Sequence, residues 1–340
     1  MMDGYYSGAG TTLKFKLNLK DKFHAIQTFY VGTDDIYTIQ RRRNDSDGEL
    51  RDLTLSRLII QKDRYGNLTG KAKQCEAPMI LVGFGHSQVL QYFTHGPNHT
   101  PYFWIATRGA QTNLDNPDLD SQDLTHWPTQ LARVRYVPGA RLDYTDATRL
   151  ISLKYANHLG KSIGSLLRVE GALSSDQSKL LIVTINTDKP RKASFIEYDN
   201  EQLNRALDEV AGTSQPYLAC DSAAVRDASV GEGLRPGFIS NRVYSLSYYG
   251  SIQGVALDDN DNIYFLGSNT DNDGLMLSRI SWGQRAAAHQ IVDNSSWKSG
   301  KTEGEGIQLS GDNVLIGITS YHRWTVVNQI YSFPKSAFKA

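Results

Sequence analysis

The sequence is short of cysteine, of net charge and of long apolar runs, and each shortage excludes a class of protein. Its 340 residues contain only Cys75 and Cys220, too few for a disulfide framework or a zinc site, so we expect two separate buried thiols. The 36 basic and 36 acidic side chains cancel, which argues against a nucleic-acid-binding protein because phosphate binding needs a net basic face. The longest apolar runs, such as 180–183, are far shorter than the ~18 residues of a membrane span.

Targeting and catalytic motifs are also missing. Residues 1–6 show no basic segment followed by an apolar one, so we expect no conventional signal peptide; the protein stays inside, leaves by another route or has been trimmed. No G-x-S-x-G, Walker-loop or H-E-x-x-H pattern occurs. The sequence therefore predicts no cofactor and no metal.

A short pattern recurs five times along the chain, in repeats at 26–39, 90–105, 169–183, 252–266 and 304–316. Each copy has an apolar residue, a Gln or Glu, a small or apolar residue and a strand-like run, followed by a polar turn and a second strand-like run. A third strand-like segment follows each copy. Runs rich in β-branched and aromatic residues that are separated by Gly, Asp and Asn predict antiparallel strands.

Tandem units of three or four strands are typical of a β-propeller, in which radial repetition leaves only short edges. Five units predict an all-β fold, a five-bladed propeller that occupies 1–340 as a single domain. A β-sandwich with accidental internal similarity is the structural alternative. Residues 12–17 alternate with period two before the first unit, so we expect them to supply the outer strand of the last blade and close the ring.

One short external helix is expected among the strands. Asn200 can cap residues 201–210, whose apolar side chains share one face, and this helix is predicted to pack on the outside between the third and fourth units. Residues 113–129 and 221–236 are predicted to be long surface loops, which is where function usually resides in such a fold.

The first strand of each propeller blade lines the central channel, so the recurring polar residues are expected to form one ring. Its members are Gln27, Gln91, Glu170, Gln253 and Glu305. Two interpretations remain open. The ring can be structural, with side chains that hydrogen-bond to neighbouring backbone or trapped water, or it can be a ligand or ion site with Glu170 and Glu305 as its acidic members.

Two further predictions concern the same channel. His24, His86 and His322 lie near strand ends and could meet at one channel mouth, but their irregular spacing does not indicate a metal site. Glu170 and Glu305 are the carboxylates that could serve as acid and nucleophile if the protein were a glycoside hydrolase.

Short segments in a fixed order carry a family resemblance. They include Gly85-His86-Ser87-Gln88, Leu131-Ala132-Arg133-Val134, Ser251-Ile252-Gln253-Gly254, Glu303-Gly304-Glu305 and Gln329-Ile330-Tyr331. From about residue 20 onward the chain resembles helveticin J and its relatives, the large heat-labile class III bacteriocins of lactobacilli. It departs from them at Arg168, where the family often has a histidine.

The resemblance implies a secreted antibacterial protein that acts on the envelope of related Gram-positive cells, in a family that often lacks a conventional signal peptide. It implies no catalytic residue. The first hypothesis is therefore a bacteriocin-like protein that binds a cell-envelope glycan or receptor, with no nucleic acid and no membrane span. The alternative is a glycan-cleaving propeller that uses Glu170 and Glu305, and a propeller scaffold without antibacterial action is a third possibility.

Overall fold

The structure, a computed structural model, describes residues 5–6, 10–46, 48, 50–109, 127–230, 237–240, 251–269, 272–284, 287–294, 297 and 301–338. Over these residues the chain is built almost wholly from β-strands, which confirms the all-β prediction. The chain divides into two compact units. Unit 1 comprises Met1–Arg41, Thr54–Pro78 and Tyr244–Ala340, and unit 2 comprises Arg42–Leu53 and Met79–Val243.

The elements are numbered along the chain. The strands up to residue 134 are β1 (Tyr5–Tyr6), β2 (Thr12–Asn18), β3 (Ile26–Val31), β4 (Asp35–Arg42), β5 (Asp52–Lys62), β6 (Leu68–Gln74), β7 (Met79–Val82), β8 (Gln91–His95), β9 (Thr100–Gly109) and β10 (Pro128–Val134). Those up to residue 240 are β11 (Arg141–Asp143), β12 (Thr148–Ile151), β13 (Leu166–Leu173), β14 (Lys179–Asn186), β15 (Ala193–Asp199), β16 (Tyr217–Ala219) and β17 (Gly237–Ser240). The remaining strands are β18 (Ser251–Leu257), β19 (Asn262–Asn269), β20 (Asn272–Ser281), β21 (Ala288–Val292), β22 (Thr302–Ser310), β23 (Asn313–His322) and β24 (Thr325–Pro334).

Helices are short and few in the part of the chain that the structure describes. They are the α-helices α1 (Asn200–Asp208) and α2 (Ala223–Asp227) and the single 3-10 turns Leu153–Tyr155 and Lys335–Ala337. None of these described helices has the length and apolar character needed to cross a membrane.

Unit 1 contains three antiparallel meanders, which correspond to the first, fourth and fifth sequence repeats. β3 pairs with β4 and β4 with β5; β18 to β21 pair in succession; β22, β23 and β24 do the same. Alternating apolar side chains from these strands form two buried clusters, one that includes Leu277 and Phe333 and one that includes Phe29 and Ile36. Burial of one face of each strand is what the period-two patterning of the sequence predicts.

Residues 12–17 supply an outer strand to the last meander, as predicted. β2 pairs antiparallel with β24, with Leu13 opposite Tyr331 and Lys16 opposite Gln329. On its other side β2 pairs in parallel with β6. Unit 1 therefore contains the continuous strand order β5-β6-β2-β24-β23-β22.

Unit 2 contains the meanders of the second and third repeats. The second forms a sheet in the order β8-β9-β10-β12-β16, and the third forms a sheet in the order β13-β14-β15-β17. A single core joins them, with Trp104 and Phe93 from one sheet and Ile182 and Ile196 from the other, all at most 3% exposed. Leu203 of α1 is also part of this core.

Helix α1 begins one residue earlier than predicted. Its N-cap is Asp199, whose Oδ1 accepts a hydrogen bond from the Gln202 backbone N–H at 2.7 Å. Asn200, the predicted cap, is engaged elsewhere, because its Oδ1 accepts from Trp104 Nε1 at 2.9 Å. Both ring nitrogens of His95 on β8 contact carboxylates of the helix. Within unit 2 the helix therefore contacts the second repeat as well as β15 of the third, and it ends at residue 208.

Three smaller expectations also need correction. The predicted loop 221–236 contains α2, and its residues 231–236 lie outside the described part of the chain, as do residues 113–126 of the other predicted loop. Thr129, predicted as loop, belongs to β10. Cys220 is buried as expected, but Cys75 is exposed, because Ala72 and Gln74 point to the buried face of β6 and residue 75 continues the exposed series of Lys71 and Lys73.

Candidate functional site

The recurring polar residues of unit 1 lie on the first strand of their meanders. Gln27 is on β3, Gln253 on β18 and Glu305 on β22, and all three are buried. The antiparallel register shifts at each of these positions. A β-bulge re-aims a side chain and increases the local twist, so these three repeats share one backbone feature at the recurring polar residue.

Two glycines allow the bulged strands to approach each other closely. Gly254 has φ +153 and Gly306 has φ +79, values in the region that favours glycine. A Cβ on Gly306 would lie 2.7 Å from Thr28 Cα, and a Cβ on Gly254 would lie 2.9 Å from Ile307 Cγ2. The first strands of repeats four, five and one therefore pack directly against one another within unit 1.

Glu303, two residues before Glu305, accepts two side-chain hydrogen bonds. The Tyr321 hydroxyl donates to its Oε2 at 2.8 Å, and Gln253 Nε2 donates to its Oε1 at 3.5 Å. Burial raises the pKa of Glu303, and the hydrogen bond from Tyr321 opposes that rise. Burial also raises the pKa of the Tyr321 hydroxyl, together with the charge of Glu303. Gln253 thus joins the fourth repeat to the fifth.

Replacing Tyr321 with phenylalanine should raise the pKa of Glu303 further, because the lost hydrogen bond favours the charged carboxylate. A folded-state pKa above the unfolded value means that the folded protein holds the proton more tightly. The contribution of Glu303 to the free energy of unfolding is therefore fully present below the ordinary pKa of glutamate and is lost as pH rises through the folded-state pKa. Carboxyl NMR titration of Glu303 measures the change. Tyr65→Phe, on an exposed side chain, is the control, and an unchanged or lower Glu303 pKa in Tyr321→Phe would contradict the expectation.

The other two ring residues of unit 1 are Gln27 and Glu305, which are buried like Gln253. Gln27 Nε2 donates to its neighbour's carbonyl, Ile26 O, at 3.5 Å, and its Oε1 has no hydrogen-bond partner among the described residues. Glu305 is 3% exposed. Burial lowers the pKa of the Arg41 guanidinium, and the charge of Glu305 opposes that effect. Glu305 is therefore a buried carboxylate next to a cation.

Glu170, the acidic ring residue of unit 2, forms a buried ion pair. It lies on β13 at 1% exposure, and Arg168 on the same strand is 2% exposed. Arg168 Nη2 donates to Oε1 of Glu170 and to Oε1 of Gln88. Burial raises the pKa of Glu170, and the charge and hydrogen bond of Arg168 lower it. Oε2 of Glu170 has no hydrogen-bond partner in the described chain.

Arg168 is also stacked on an aromatic side chain. Its guanidinium carbon lies 3.6 Å from the ring centroid of Trp127, and the ring of His86 stacks on Trp127 at 4.2 Å with an interplanar angle of 5°. Contact with an aromatic face stabilises a guanidinium electrostatically. The Arg168 guanidinium thus contacts both a carboxylate and a tryptophan, and Trp127 carried no sequence signal for this role.

Gln91, the other ring residue of unit 2, joins the second repeat to the third. Its Oε1 accepts a hydrogen bond from the backbone N–H of Leu173 at 3.1 Å. This is the kind of contact that the structural interpretation of the ring expects. Since three members lie in unit 1 and two in unit 2, the five-residue ring as a whole stays a prediction.

The three histidines predicted at a channel mouth have different surroundings. His24 Nδ1 contacts Asp21 Oδ2 at 2.7 Å. His86 stacks on Trp127 in unit 2, and His322 lines a pocket in unit 1. Within the described residues, no group of three or more His, Cys, Asp or Glu side chains could hold a metal ion.

The pocket that His322 lines was not predicted from the sequence. It has a volume of about 300 Å³ and lies on unit 1, with side chains from β2, β22, β23 and β24. The lining residues are Leu13, Lys16, Trp297, Lys301, Thr302, Ser320, Tyr321, His322, Val327, Gln329 and Tyr331. Aromatic faces, hydrogen-bonding groups and two lysines therefore meet in one concave surface, the combination that a polar ligand with an apolar face requires.

Sequence comparison gives two matches to one kind of protein. The family described as "Bacteriocin helveticin-J" matches residues 6–336. A curated relative, bacteriocin helveticin-J of Lactobacillus helveticus, is 27% identical over 233 residues, which are 60% of this chain and 66% of the relative. The aligned part therefore spans slightly less than two thirds of that relative.

Structural comparison shows similarity at the level of the fold. The tail fiber of Staphylococcus aureus phage P68 matches with a TM-score of 0.56 and 13% identity, over 96% of this chain and 53% of the fiber chain. This chain thus spans about half of that protein. A GH43_1 enzyme from Xanthomonas citri matches over 95% of this chain and 90% of its own, at 8% identity and a TM-score of only 0.38, which carries no argument about this protein.

Proposed function

The chain belongs to the bacteriocin helveticin-J family, and from this premise we propose that it is an antibacterial protein that acts outside the producing cell by binding the envelope of Gram-positive bacteria through a wall glycan. The family match over 6–336 is the observation that carries the proposal. The antibacterial role is inferred from family membership. The mode of binding is inferred from the exposed surface of this chain, because function resides in sites and not in folds.

The proposed architecture for this role is a five-bladed propeller in a single domain. Each of the five sequence repeats forms an antiparallel meander of at least three strands. Within unit 1, the fifth repeat packs against the first at Gly306 and Thr28, as expected if the repeats follow one another in a circle. Such a fold presents loops and blade edges to a large partner.

Binding is favoured over glycan cleavage by the state of the two candidate carboxylates. Glu170 is fully buried and hydrogen-bonded to Arg168, and Glu305 is buried near Arg41. A general acid or nucleophile must reach the glycosidic bond, and no described feature opens either carboxylate to a sugar. The ring residues are therefore proposed as structural links between repeats, and binding is assigned to the exposed surface.

A pull-down on purified cell walls from a panel of Gram-positive species tests this function. The protein should sediment with the walls of at least one species, and the supernatant should contain no released sugar or muropeptide above the level of a protein-free sample. Glu170→Gln and Glu305→Gln variants that remain folded should bind equally well. Failure to bind any wall would refute the proposal, and release of sugar that both variants abolish would replace it with a hydrolase.

A further inference from the structure

Two neighbouring strands of unit 1 present lysines on one exposed face. In the parallel pairing of β2 with β6, Lys16 lies opposite Lys71 and Asn18 lies opposite Lys73. Lys16, Lys71 and Lys73 are all exposed, whereas Leu17 and Ala72, the residues between them, are buried. Side chains two residues apart on a strand share a face, and adjacent strands are about 4.8 Å apart. These three side chains, called the lysine strip below, therefore project together.

The lysine strip is a local concentration of positive charge. No ion pair involves Lys16, Lys71 or Lys73 in the described part of the chain, although Lys62 and Lys192 elsewhere do have carboxylate partners. Like charges at this separation repel each other. Since acidic and basic residues are equal in number over the whole chain, the strip is a local concentration of charge and not the result of a basic composition.

Protection of a sheet edge does not explain these lysines. Natural proteins often place lysine on edge strands to prevent pairing with another chain. Here β6 and β2 are interior strands, flanked by β5 and β24. The exposed charge therefore needs a different explanation, and an external anion is the direct one.

The lysine strip adjoins the pocket that His322 lines. Lys16 belongs to both, and its antiparallel partner Gln329 is also a lining residue. Lys301 adds a second cation to the lining, and none of the described lining residues is a carboxylate. The carboxylate of Glu303 contacts one lining side chain, since its Oε2 accepts a hydrogen bond from the Tyr321 hydroxyl. Trp297 packs edge-on against Tyr331 at 5.2 Å between ring centroids, which gives the pocket an aromatic part.

We propose that the lysine strip and this pocket bind a linear polymer of polyol or sugar units joined by phosphodiesters, with phosphates on Lys16, Lys71 and Lys73 and one unit of the polymer in the pocket. This inference rests on the proposed function, because it names the envelope component that the protein binds. Lysine binds phosphate as a compact point charge, and three exposed lysines on neighbouring strands can contact successive phosphates of one polymer. A polyol or sugar unit supplies the apolar and hydroxyl faces that an aromatic, hydrogen-bonding pocket accepts.

Calorimetric titration of the purified protein with a glycerol-phosphate polymer tests the ligand class. We expect binding that weakens roughly twentyfold between 50 and 200 mM salt, as for a protein that neutralises about three phosphates of a single-stranded polyanion. Dextran should not bind, and polygalacturonate and duplex DNA should bind at least tenfold more weakly. Equal affinity for polygalacturonate or DNA would overturn the assignment, because the strip would then be a general polyanion surface.

A charge-matched pair of triple variants tests the location. Lys16→Gln/Lys71→Gln/Lys73→Gln should weaken binding of the glycerol-phosphate polymer at least tenfold and flatten its salt dependence. The control replaces three exposed lysines of unit 2 with glutamine, and it should bind like the parent protein. These lysines are Lys154, Lys161 and Lys189.

The pull-down separates failure of this inference from failure of the proposed function. If the parent protein and the strip variant sediment equally with cell walls, the wall-binding function stands and the lysine strip is not the site. If the parent protein binds no wall, the proposed function fails whatever the polymer titration shows. Equal loss of polymer binding in both triple variants would also overturn the inference, since only net charge would then matter.

Discussion

Replacing Arg168 with methionine should destabilise the protein by about 3–5 kcal/mol, because removal of one partner leaves an uncompensated charge in the interior. Glu170 is fully buried, and its hydrogen-bonded contact in the described structure is the Arg168 guanidinium. The same change removes the cation from the face of Trp127. Urea denaturation at pH 7 measures the difference in the free energy of unfolding.

The double variant Arg168→Met/Glu170→Met distinguishes a lost ion pair from lost packing. Because apolar residues often replace a buried ion pair at little cost, most of the stability should return. Arg205→Met on the exposed side of α1 should change stability by less than about 0.5 kcal/mol. If the double variant is as unstable as Arg168→Met, packing and not charge is the cause.

The effect of Arg168→Met should also depend on pH in a definite direction. Without the guanidinium, burial alone acts on the pKa of Glu170 and raises it. The folded variant then binds a proton that the unfolded chain has released, so stability falls as pH rises from the ordinary pKa of glutamate through the raised folded-state value. The loss of unfolding free energy in Arg168→Met relative to the parent protein should therefore be smaller in mildly acidic solution.

Replacing Gly306 with alanine should cost about 2–5 kcal/mol, the sum of a left-handed backbone penalty and overpacking. Its φ is +79, and a Cβ would lie 2.7 Å from Thr28 Cα on the neighbouring first strand. Thr28 Cα is a backbone atom, so no side-chain rotation can relieve the contact. Strands β22 and β3 would have to separate, which would also disturb the bulge at Glu305.

Gly311→Ala is the matched control for Gly306→Ala. Gly311 also has a positive φ, +52, but a Cβ there would have nothing within 4 Å. Only the left-handed backbone penalty applies, about 1–2 kcal/mol. Thermal or urea denaturation of both variants isolates the contribution of the close approach between strands. Equal losses in the two variants would show that the backbone conformation alone matters.

The strands were predictable because their signal is local. The apolar alternation and the turn residues of each repeat lie within a few positions of one another, and the partner of residues 12–17 followed from counting strands. The start of α1 was missed by one residue because Asp199 and Asn200 are both good caps, and only the tertiary contact of Asn200 with Trp104 decides between them. Helix α2 was missed because five residues are too few to show a helical period.

The candidate binding surface could not have been predicted in the same way. Lys16 and Lys71 are ordinary surface lysines in the sequence, and they become neighbours only through the parallel pairing of β2 with β6. Likewise Arg168 and Trp127 meet through contacts between different strands and loops. The sequence pattern identifies a Gln or Glu at the same position of five repeats. It does not reveal which charged residues from separate strands lie next to each other in the folded chain.

The pairing of β2 with β24 has a consequence for the order in which the chain folds during synthesis. Most of unit 2 is a continuous stretch, whereas unit 1 is assembled from three separate segments. The hydrogen bond from Ile26 N to Asn328 Oδ1 spans 302 positions. On the ribosome, where domains form as their residues emerge, unit 2 can be finished while β2 still lacks its antiparallel neighbour. Nascent chains arrested before β24 would expose that unpaired edge to other chains, so a chaperone that shields β2 should raise the yield of the native protein.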